Sequence, residues 1–347
     1  MLKSLDRRVI LLVMMFTLVA LVSNVAAAED LAMYVKVLET NDDLATATAN
    51  FEKAMTNSSY KIVGKWDMKS SSKDGFQQKA RTYVINAPEY TDLIAKQAPA
   101  SSMPAAVLKV NVYEAKGKVN INLVNPETTA RVFLGEPAEI ENKEALVKKA
   151  VEVKDNLINI IKGVNGKVAI EKIGPIRDGD DLDGYNGDGM AKAMTKWRNF
   201  KESLHANKEI AIDGDAAAAF NKACKELEAN IKNNGLNWRL ICSIDIGENA
   251  RFYGITQPGT EVEAIEIDSM SRAKSDKNKF PGIDHAGAFP IPVLVYQDGD
   301  IIKVSQFGQM WRMELYFWDA GYGAFTSHMD MPGNIYDDVE KIINGEA

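Results

Sequence analysis

The residues best suited to chemistry are a histidine and several methionines near the end of the chain. His328, Met329 and Met331 lie close together, and Met310 and Met313 precede them. Thioether and imidazole groups are ligands that suit copper(I) or a haem iron. These residues therefore predict a soft-metal or haem site, and the alternative is that the methionines fill an irregular core.

A second candidate site is the segment Asp178–Asp188, which is rich in aspartate and glycine. Calcium takes about six to eight oxygen ligands, which carboxylates supply. The spacing differs from that of an EF-hand, because Leu182 stands at a ligand position and no glutamate closes the loop. We expect either a calcium site or a solvated linker.

The two cysteines of the chain, Cys224 and Cys242, are the third candidate pair. Each belongs to a predicted apolar face, the first on a helix and the second on a strand. Both should therefore point into the seam between helix and sheet. In an oxidising compartment such a pair can form a disulfide, and two buried free thiols fit the pattern equally well.

Known catalytic motifs are missing from the sequence, which has no Gly-x-Ser-x-Gly, no P-loop and no Gly-x-Gly-x-x-Gly. Asp67 and Asp245 fall at matched places in two similar segments, and His285 follows Asp284. A pair of carboxylates, or a histidine that acts as a base with a carboxylate, would have to share a cleft in which the pKa values of the two groups differ. The sequence therefore favours a protein that is not an enzyme.

Residues 1–28 are typical of a secretory signal peptide. Basic residues, Lys3 and Arg8 among them, precede the apolar run Val9–Val22, and Ala28 ends a small-residue cleavage site. We expect cleavage near Ala28 and a periplasmic or secreted location. The alternative is an uncleaved membrane anchor. No later stretch predicts a membrane span.

Composition excludes some partners. The chain has 347 residues, 46% of them hydrophobic and 26% charged, which is the balance of a folded protein of two domains. The formal net charge is -7. An acidic surface repels phosphate groups, so we expect neither nucleic acid nor an anionic membrane surface as a partner.

An internal repeat organises the chain. Three pairs of segments match in the same order: Tyr60–Met68 with Trp238–Ile246, Val110–Ile121 with Val293–Val304, and Leu157–Gly163 with Val339–Gly345. Self-similarity over this length indicates duplicated domains. It predicts a first domain over 29–163, a connector over 164–207 and a second domain over 208–347.

Hydrophobic periodicity predicts the elements of each copy. The first copy reads as a strand near 33–37, a helix from about 44, strands at 60–68, 79–87, 107–114 and 118–124, and a helix over 142–162. The second reads as strands at 208–213, 237–246, 262–268, 292–297 and 301–307 with helices at 215–233 and 334–344. A strand-like run covers 310–318, and the connector contains an amphipathic helix over 190–204. Each copy is thus predicted as a β-α-β4-α unit of the α+β class, with an antiparallel sheet and helices on one face.

Short motifs of the first copy resemble the domain of unknown function 302 (DUF302) family. They are Tyr83–Pro88, the pair Met103–Pro104, and Asn125–Pro126 after the second hairpin strand. The resemblance covers most of residues 32–163. It implies the TBP-like β-α-β4-α fold of that family, and it implies no activity.

The second copy resembles the family more weakly, over residues 208–345. Phe289–Gly299 is similar to the same proline step and hairpin, whereas Phe307–Gly308 stands where the first copy has Asn-Pro. The resemblance suggests that the two copies pair as the family's dimers do. We therefore expect a monomer with pseudo-dimeric repeats, or a homodimer.

Together these patterns predict an exported, non-enzymatic binding or interaction protein. We expect an apolar cleft between the two copies, lined by the aromatic residues Tyr60, Trp66, Trp238, Trp311 and Trp318. The ligand would be a small molecule or a protein. The alternatives are the soft-metal or haem protein and an uncharacterised enzyme.

Overall fold

The computed structural model describes residues 29–69, 78–189, 199–275 and 282–347. The predicted signal peptide lies outside this range, as do residues 190–198 of the predicted connector helix. Within the described residues, no helix combines the length and the apolar character that crossing a membrane requires.

The first half alternates strands with helices. Its strands are β1 (Asp30–Thr40), β2 (Lys61–Lys69), β3 (Lys79–Asn86), β4 (Leu108–Ala115), β5 (Lys118–Val124) and β6 (Lys167–Asp178). Its helices are α1 (Leu44–Thr56), α2 (Pro88–Gln97), α3 (Pro126–Leu134) and α4 (Lys143–Lys162), with 3-10 helices at Ala100–Ala106, Pro137–Glu139 and Asp180–Leu182.

The second half repeats this order. Its strands are β7 (Leu204–Ala211), β8 (Arg239–Asp245), β9 (Ala250–Thr256), β10 (Ile291–Asp298) and β11 (Ile301–Phe307). Its helices are α5 (Phe200–Ser203), α6 (Ala216–Asn233), α7 (Pro258–Ser275), α8 (Gln309–Phe317), α9 (Tyr322–Thr326) and α10 (Asp330–Asn344), with 3-10 helices at Ile283–Ala288 and Trp318–Ala320.

The two sheets have the same strand order. The first runs β2-β3-β4-β5-β1-β6 and the second β8-β9-β10-β11-β7, and every pairing is antiparallel. Both edge strands carry a register shift at the same place, between Ile62 and Gly64 in β2 and between Leu240 and Cys242 in β8. The predicted α+β class with two tandem units is confirmed.

Two helices of the first half and several of the second were missing from the predicted element order. In the first half these are α2, which begins at Pro88, and α3, whose first turn is capped by the Asn125 side chain accepting from the backbone N–H of Glu127 at 3.1 Å. Both are short, of 10 and 9 residues, so they show little periodicity. The Asn-Pro turn thus serves as a helix start.

The strands predicted at 262–268 and 310–318 are wrong, because both segments are helical. Residues 262–268 belong to α7, and the third strand of the second half is β9 instead. Residues 310–317 belong to α8, in which almost every side chain is buried. Because α8 is buried on nearly all sides, its apolar residues do not follow a period of 3.6 residues, and the segment resembles a buried strand.

The segment between the predicted domains is partly ordered as sheet. Residues 167–178, placed in the connector by sequence, form β6, which pairs with β1 and lengthens the first sheet. Phe200 and Leu204 of the predicted connector helix lie instead in α5 and at the start of β7.

Each half covers one face of the other half's sheet. The 3-10 helix Ile283–Ala288 packs on β3, β4 and β5, while Ala100–Ala106 packs on β9 and β10. Asn111 donates to the carbonyl of Ile283 at 2.9 Å, and Asn122 donates to that of Asp284 at 2.7 Å. The opposite face of the first sheet contacts α1 through Tyr83 and Phe51, whose ring centroids are 4.9 Å apart. The buried apolar residues of both halves form one continuous core.

Strands β2 and β8 also meet directly. A Cβ atom built on Gly64 would lie 2.8 Å from the carbonyl oxygen of Ile241 and 2.9 Å from the Cβ of Cys242. Gly64 and Cys242 occupy equivalent positions of the repeat, so the pseudo-twofold axis passes close to this contact. Only glycine allows the two backbones to approach this closely.

We predict that Gly64→Ala destabilises the protein by ~1–3 kcal/mol, because the added methyl group must push the two backbones apart. Urea denaturation measures the change. Gly333→Ala in α10 is the matched control, since no atom lies within 4 Å of the added carbon and alanine favours a helix. A Gly64→Ala protein as stable as the wild type would contradict the close contact.

Candidate functional site

A groove of about 750 Å³ lies where the two halves meet. This volume falls in the range of small-molecule sites. The first half contributes α1 and the adjoining ends of β2, β3 and β4, and the second half contributes the starts of β8 and α7. The apolar part of the lining is Leu44, Ala45, Ala49, Met68, Ala80, Pro258 and Val262, and the charged part is Asp43, Glu52, Asp67, Lys69, Lys79, Arg81, Glu114, Arg239 and Glu261.

Helix α1 leaves room for the groove because its groove side carries small residues. Its start is fixed by Asp43, whose carboxylate accepts from the backbone N–H of Thr46 at 2.7 Å. The helix buries Phe51 and Met55 against the sheet. Ala45 and Ala49 remain exposed on the groove side, so a ligand can approach the helix backbone.

A network of ion pairs joins α1 to β2 and β3 beside the groove. Arg81 donates from Nε and from its terminal nitrogen to the two oxygens of Asp67, at 2.7 and 2.9 Å. Tyr83 donates its hydroxyl to Glu52 at 3.0 Å, and Lys65 lies 3.0 Å from the same carboxylate. Arg81 also lies 3.8 Å from Glu52.

This network keeps both carboxylates ionised. The hydrogen bond from Arg81 lowers the pKa of Asp67 more than burial raises it. Burial raises the pKa of Glu52, and the hydrogen bonds from Lys65 and Tyr83 outweigh it, so the pKa is lowered. Two carboxylates held in this way have no proton to donate at neutral pH.

The second half contains the same network at equivalent positions. Arg251 pairs with Asp245, and Tyr253 donates to Glu228 at 2.8 Å. Arg251 lies 3.4 Å from Glu228. The matched places of Asp67 and Asp245 are thus explained by a shared arginine contact.

Sequence reasoning missed the arginine, tyrosine and glutamate of this network. The available signal was the pair of tripeptides Arg81–Tyr83 and Arg251–Tyr253, which share arginine and tyrosine at the same spacing. The strand wrongly predicted at 262–268 hid that match, because it shifted the third strand of the second half away from β9.

The second half closes the groove with Glu261 and Arg239. Glu261 accepts from the hydroxyl of Thr256 at 2.5 Å and lies 3.5 Å from Arg239. Burial raises the pKa of Glu261, and these two partners only partly oppose the rise. The indole N–H of Trp66 approaches Glu261 closely enough to lower that pKa, yet it is buried and makes no hydrogen bond within the described residues.

The five aromatic residues predicted to line a cleft are dispersed. Trp66 lies next to Glu261, which lines the groove. Tyr60 contacts Asn156 of α4 at 3.3 Å, and Trp238 donates to Asp338 of α10 at 3.1 Å, which are equivalent contacts in the two halves.

The other two aromatic residues belong to the junction of the halves. Trp311 is fully buried and stacks on Phe307 with ring centroids 5.6 Å apart. Trp318 lies half-buried in the 3-10 helix after α8. Neither residue lines the groove.

The predicted soft-metal residues do not share one environment. Met329 is 44% exposed, whereas Met331 and Met313 are buried in the core. His328 contacts the carbonyl of Ala324 at 3.0 Å through Nδ1, and Met310 packs at the edge of the core. Among the described residues, no three His, Cys, Asp or Glu side chains converge as metal ligands.

Two aspartates of the predicted calcium loop form ion pairs with cations of the protein. Asp183 lies 2.9 Å from Lys143 and 3.4 Å from Arg131. Asp188 pairs with Arg177 and accepts from Tyr185. These two carboxylates thus point to separate partners, and calcium at Asp178–Asp188 stays a prediction.

Both cysteines are buried and free. Cys224 lies on the buried face of α6 beneath Tyr253, whereas Cys242 faces the junction of the halves, where it meets Gly64. The prediction that both cysteines point into one seam is wrong, because they lie on opposite faces of the second sheet. Burial raises the pKa of both thiols, that of Cys242 to about 12. The two thiols are therefore neutral, and they are not joined in a disulfide in this structure.

His285 is held between two carboxylates and is inaccessible. Its Nδ1 lies 3.0 Å from Asp284 and its Nε2 lies 3.1 Å from Asp319. The rings of Tyr34 and Phe317 lie 4.6 and 5.6 Å from the imidazole. A fully buried ring with both nitrogens engaged cannot act as a base on a ligand in the groove.

Comparisons with known proteins give one structural similarity. The chain is similar to the crystal structure of uncharacterized conserved protein DUF302 from Bacillus stearothermophilus, at 14% identity and a TM-score of 0.28, over 39% of this chain and 100% of that chain. The match is to the family that the sequence motifs resemble. No family model and no curated protein matches the chain.

We predict that Glu261→Gln gains stability relative to the wild type as the pH rises from about 4 to about 8. A carboxyl whose pKa is raised by folding binds its proton more tightly in the folded state. Its contribution to stability is lost as the pH rises from the unfolded value of about 4.3 through the folded pKa. Glutamine carries no such loss.

Urea denaturation across this pH range gives the free energies of unfolding for both proteins. Glu144→Gln, at the exposed start of α4, is the control and should keep a constant difference from the wild type. If the wild type instead gained on Glu261→Gln with rising pH, the ion pair with Arg239 would outweigh burial.

Proposed function

We propose that the protein is an exported binding protein that holds a small amphipathic molecule in the groove between its two halves. The observation that carries the proposal is the groove itself, which is about 750 Å³ in volume and is lined by both apolar and charged side chains. A groove between the halves supports the cleft expected from the sequence, and α1 and α7 line it.

The apolar part of the lining favours a ligand with a hydrophobic body. Ala45, Ala49 and Val262 border the groove without polar atoms on their side chains. Apolar area removed from water contributes about 25 cal/mol per Å², so a hydrophobic body supplies most of the affinity.

The charged part of the lining favours a ligand with a polar head. The lining carries carboxylates and cations in nearly equal number, and Asp67, Arg81 and Glu52 are held in place by one another. Charges fixed before the ligand arrives cost little to order on binding.

Binding without catalysis fits the chemistry of the lining. Asp67 and Glu52 have lowered pKa values and are poor proton donors. The hydroxyl of Thr48 is engaged by the helix backbone, since it donates to the carbonyls of Leu44 and Ala45 at 2.8 and 2.9 Å. Nucleophilic catalysis needs a base within hydrogen-bond reach of the nucleophile.

We predict that Ala49→Trp blocks the groove. The probe is 8-anilinonaphthalene-1-sulfonate, which has an apolar body and a charged head and is followed by fluorescence titration. The wild type should bind it saturably, and the variant should bind about tenfold more weakly or worse, a loss of ~1.4 kcal/mol. Ala218→Trp, at an exposed site on α6, is the matched control and should bind as the wild type does.

Circular dichroism confirms that both variants are folded, since the probe also binds partly unfolded chains. Equal binding by Ala49→Trp and the wild type would place the probe elsewhere and contradict the proposed groove. A second arm extracts the protein with organic solvent and searches for a co-purified small molecule by mass spectrometry.

We predict that export removes residues 1–28. The full-length sequence is expressed in a bacterium with an outer membrane, and the protein is recovered from the periplasmic fraction. Intact mass should correspond to a chain that starts at Glu29, because Ala28 ends the small-residue cleavage site. A chain with an intact start in the membrane fraction would show the anchor alternative instead.

A further inference from the structure

A second, smaller cavity lies inside the junction of the two halves, apart from the groove. Its volume is about 20 Å³, and it is lined by β4 and α3 of the first half and by β10 and α8 of the second. This space admits a water molecule or a single ion but no organic ligand. Lys109 and Arg312 both border it.

The two cations at this cavity are buried. Lys109 is 6% exposed and Arg312 is 1% exposed. Arg312 donates to Gln309 at 2.7 Å and to the carbonyl of Ala288 at 3.1 Å, which are neutral acceptors. The ammonium group of Lys109 lies over the ring of Tyr316, 5.2 Å from its centroid. Within the described residues, neither cation makes an ion pair or faces a carboxylate.

The neighbouring acidic groups do not balance these charges. Burial raises the pKa of Tyr316 and that of Cys242 to about 12 each, so both groups stay neutral. Burial and the adjacent Arg312 lower the pKa of Lys109 to about 7. Two buried cations without a counter-ion are costly, and a negative charge between them would offset that cost.

The site is single because the two halves have diverged here. Lys109 on β4 is equivalent to Pro292 on β10, and Thr129 on α3 is equivalent to Arg312 on α8, and all four residues line the cavity. Each half thus gives one cation to a cavity at the pseudo-twofold axis. The positive charge is a product of both copies together.

We propose that this cavity binds a small monovalent anion of halide size, which joins the two halves through Lys109 and Arg312. The ion neutralises the buried charges and has the size of the space, whereas sulfate or a carboxylate ligand is too large for it. The alternative occupant is one water molecule, which would leave the charges uncompensated.

The test compares thermal unfolding of the protein in sodium gluconate and in sodium chloride at equal ionic strength and about pH 6, where Lys109 is protonated. Chloride should raise the Tm saturably, by ~3 °C. The rise should disappear in Lys109→Met, which removes the charge and keeps the length of the side chain. Lys96→Met, at an exposed site on α2, should keep the full rise.

Two further measurements test the anion site. Lys109→Met should be at least as stable as the wild type in gluconate, because it removes an uncompensated buried charge. Crystals grown in sodium bromide should show an anomalous peak between Lys109 and Arg312. A chloride effect that survives in Lys109→Met, or a bromide-soaked cavity holding only water, would overturn the anion site.

Discussion

The close packing of one repeat on the other is the constraint on which the rest of the structure depends. Strands β2 and β8 meet at Gly64 and Cys242 without room for another methyl group. Each sheet also receives the other half's 3-10 helix on one face. Because these contacts join both halves into one core, the groove and the small cavity have fixed walls from two repeats.

The repeats keep a common scaffold while their side chains at the junction differ. Strand order, bulge position and the arginine–carboxylate networks are the same in both halves. At the junction, however, Asn111 binds the opposing 3-10 helix where the second copy has Leu294, and Lys109 stands opposite Pro292. A symmetric fold therefore encloses an asymmetric set of charges, as expected when one gene product contains both partners of a former symmetric pair.

Most charged groups described in this molecule are paired, whereas two buried cations at the junction have no carboxylate partner among the described residues. The exposed pairs around Asp67 and Asp245 contribute little to stability, since water screens them. Their positional role is larger, because they hold one side of the groove before a ligand arrives. The buried cations Lys109 and Arg312 have the opposite character, with a strong field and no carboxylate partner among the described residues. Surface pairs thus shape the groove, and buried charge defines a separate site.

The sequence alone determined the duplication, the α+β class and most regular elements. Strand β5 and helix α4 lie within a residue of their predicted bounds, because side chains of one element repeat with the period of its backbone. The helix α8 escaped prediction because it is buried on all sides.

The site was decided by tertiary structure. Glu52 and Arg81 meet only when α1 packs on β3, and Tyr60 and Trp238 turn toward their own helices in place of a common cleft. The local periodicity of the hydrophobic residues indicates which face of an element is buried, but it does not indicate which other element covers that face.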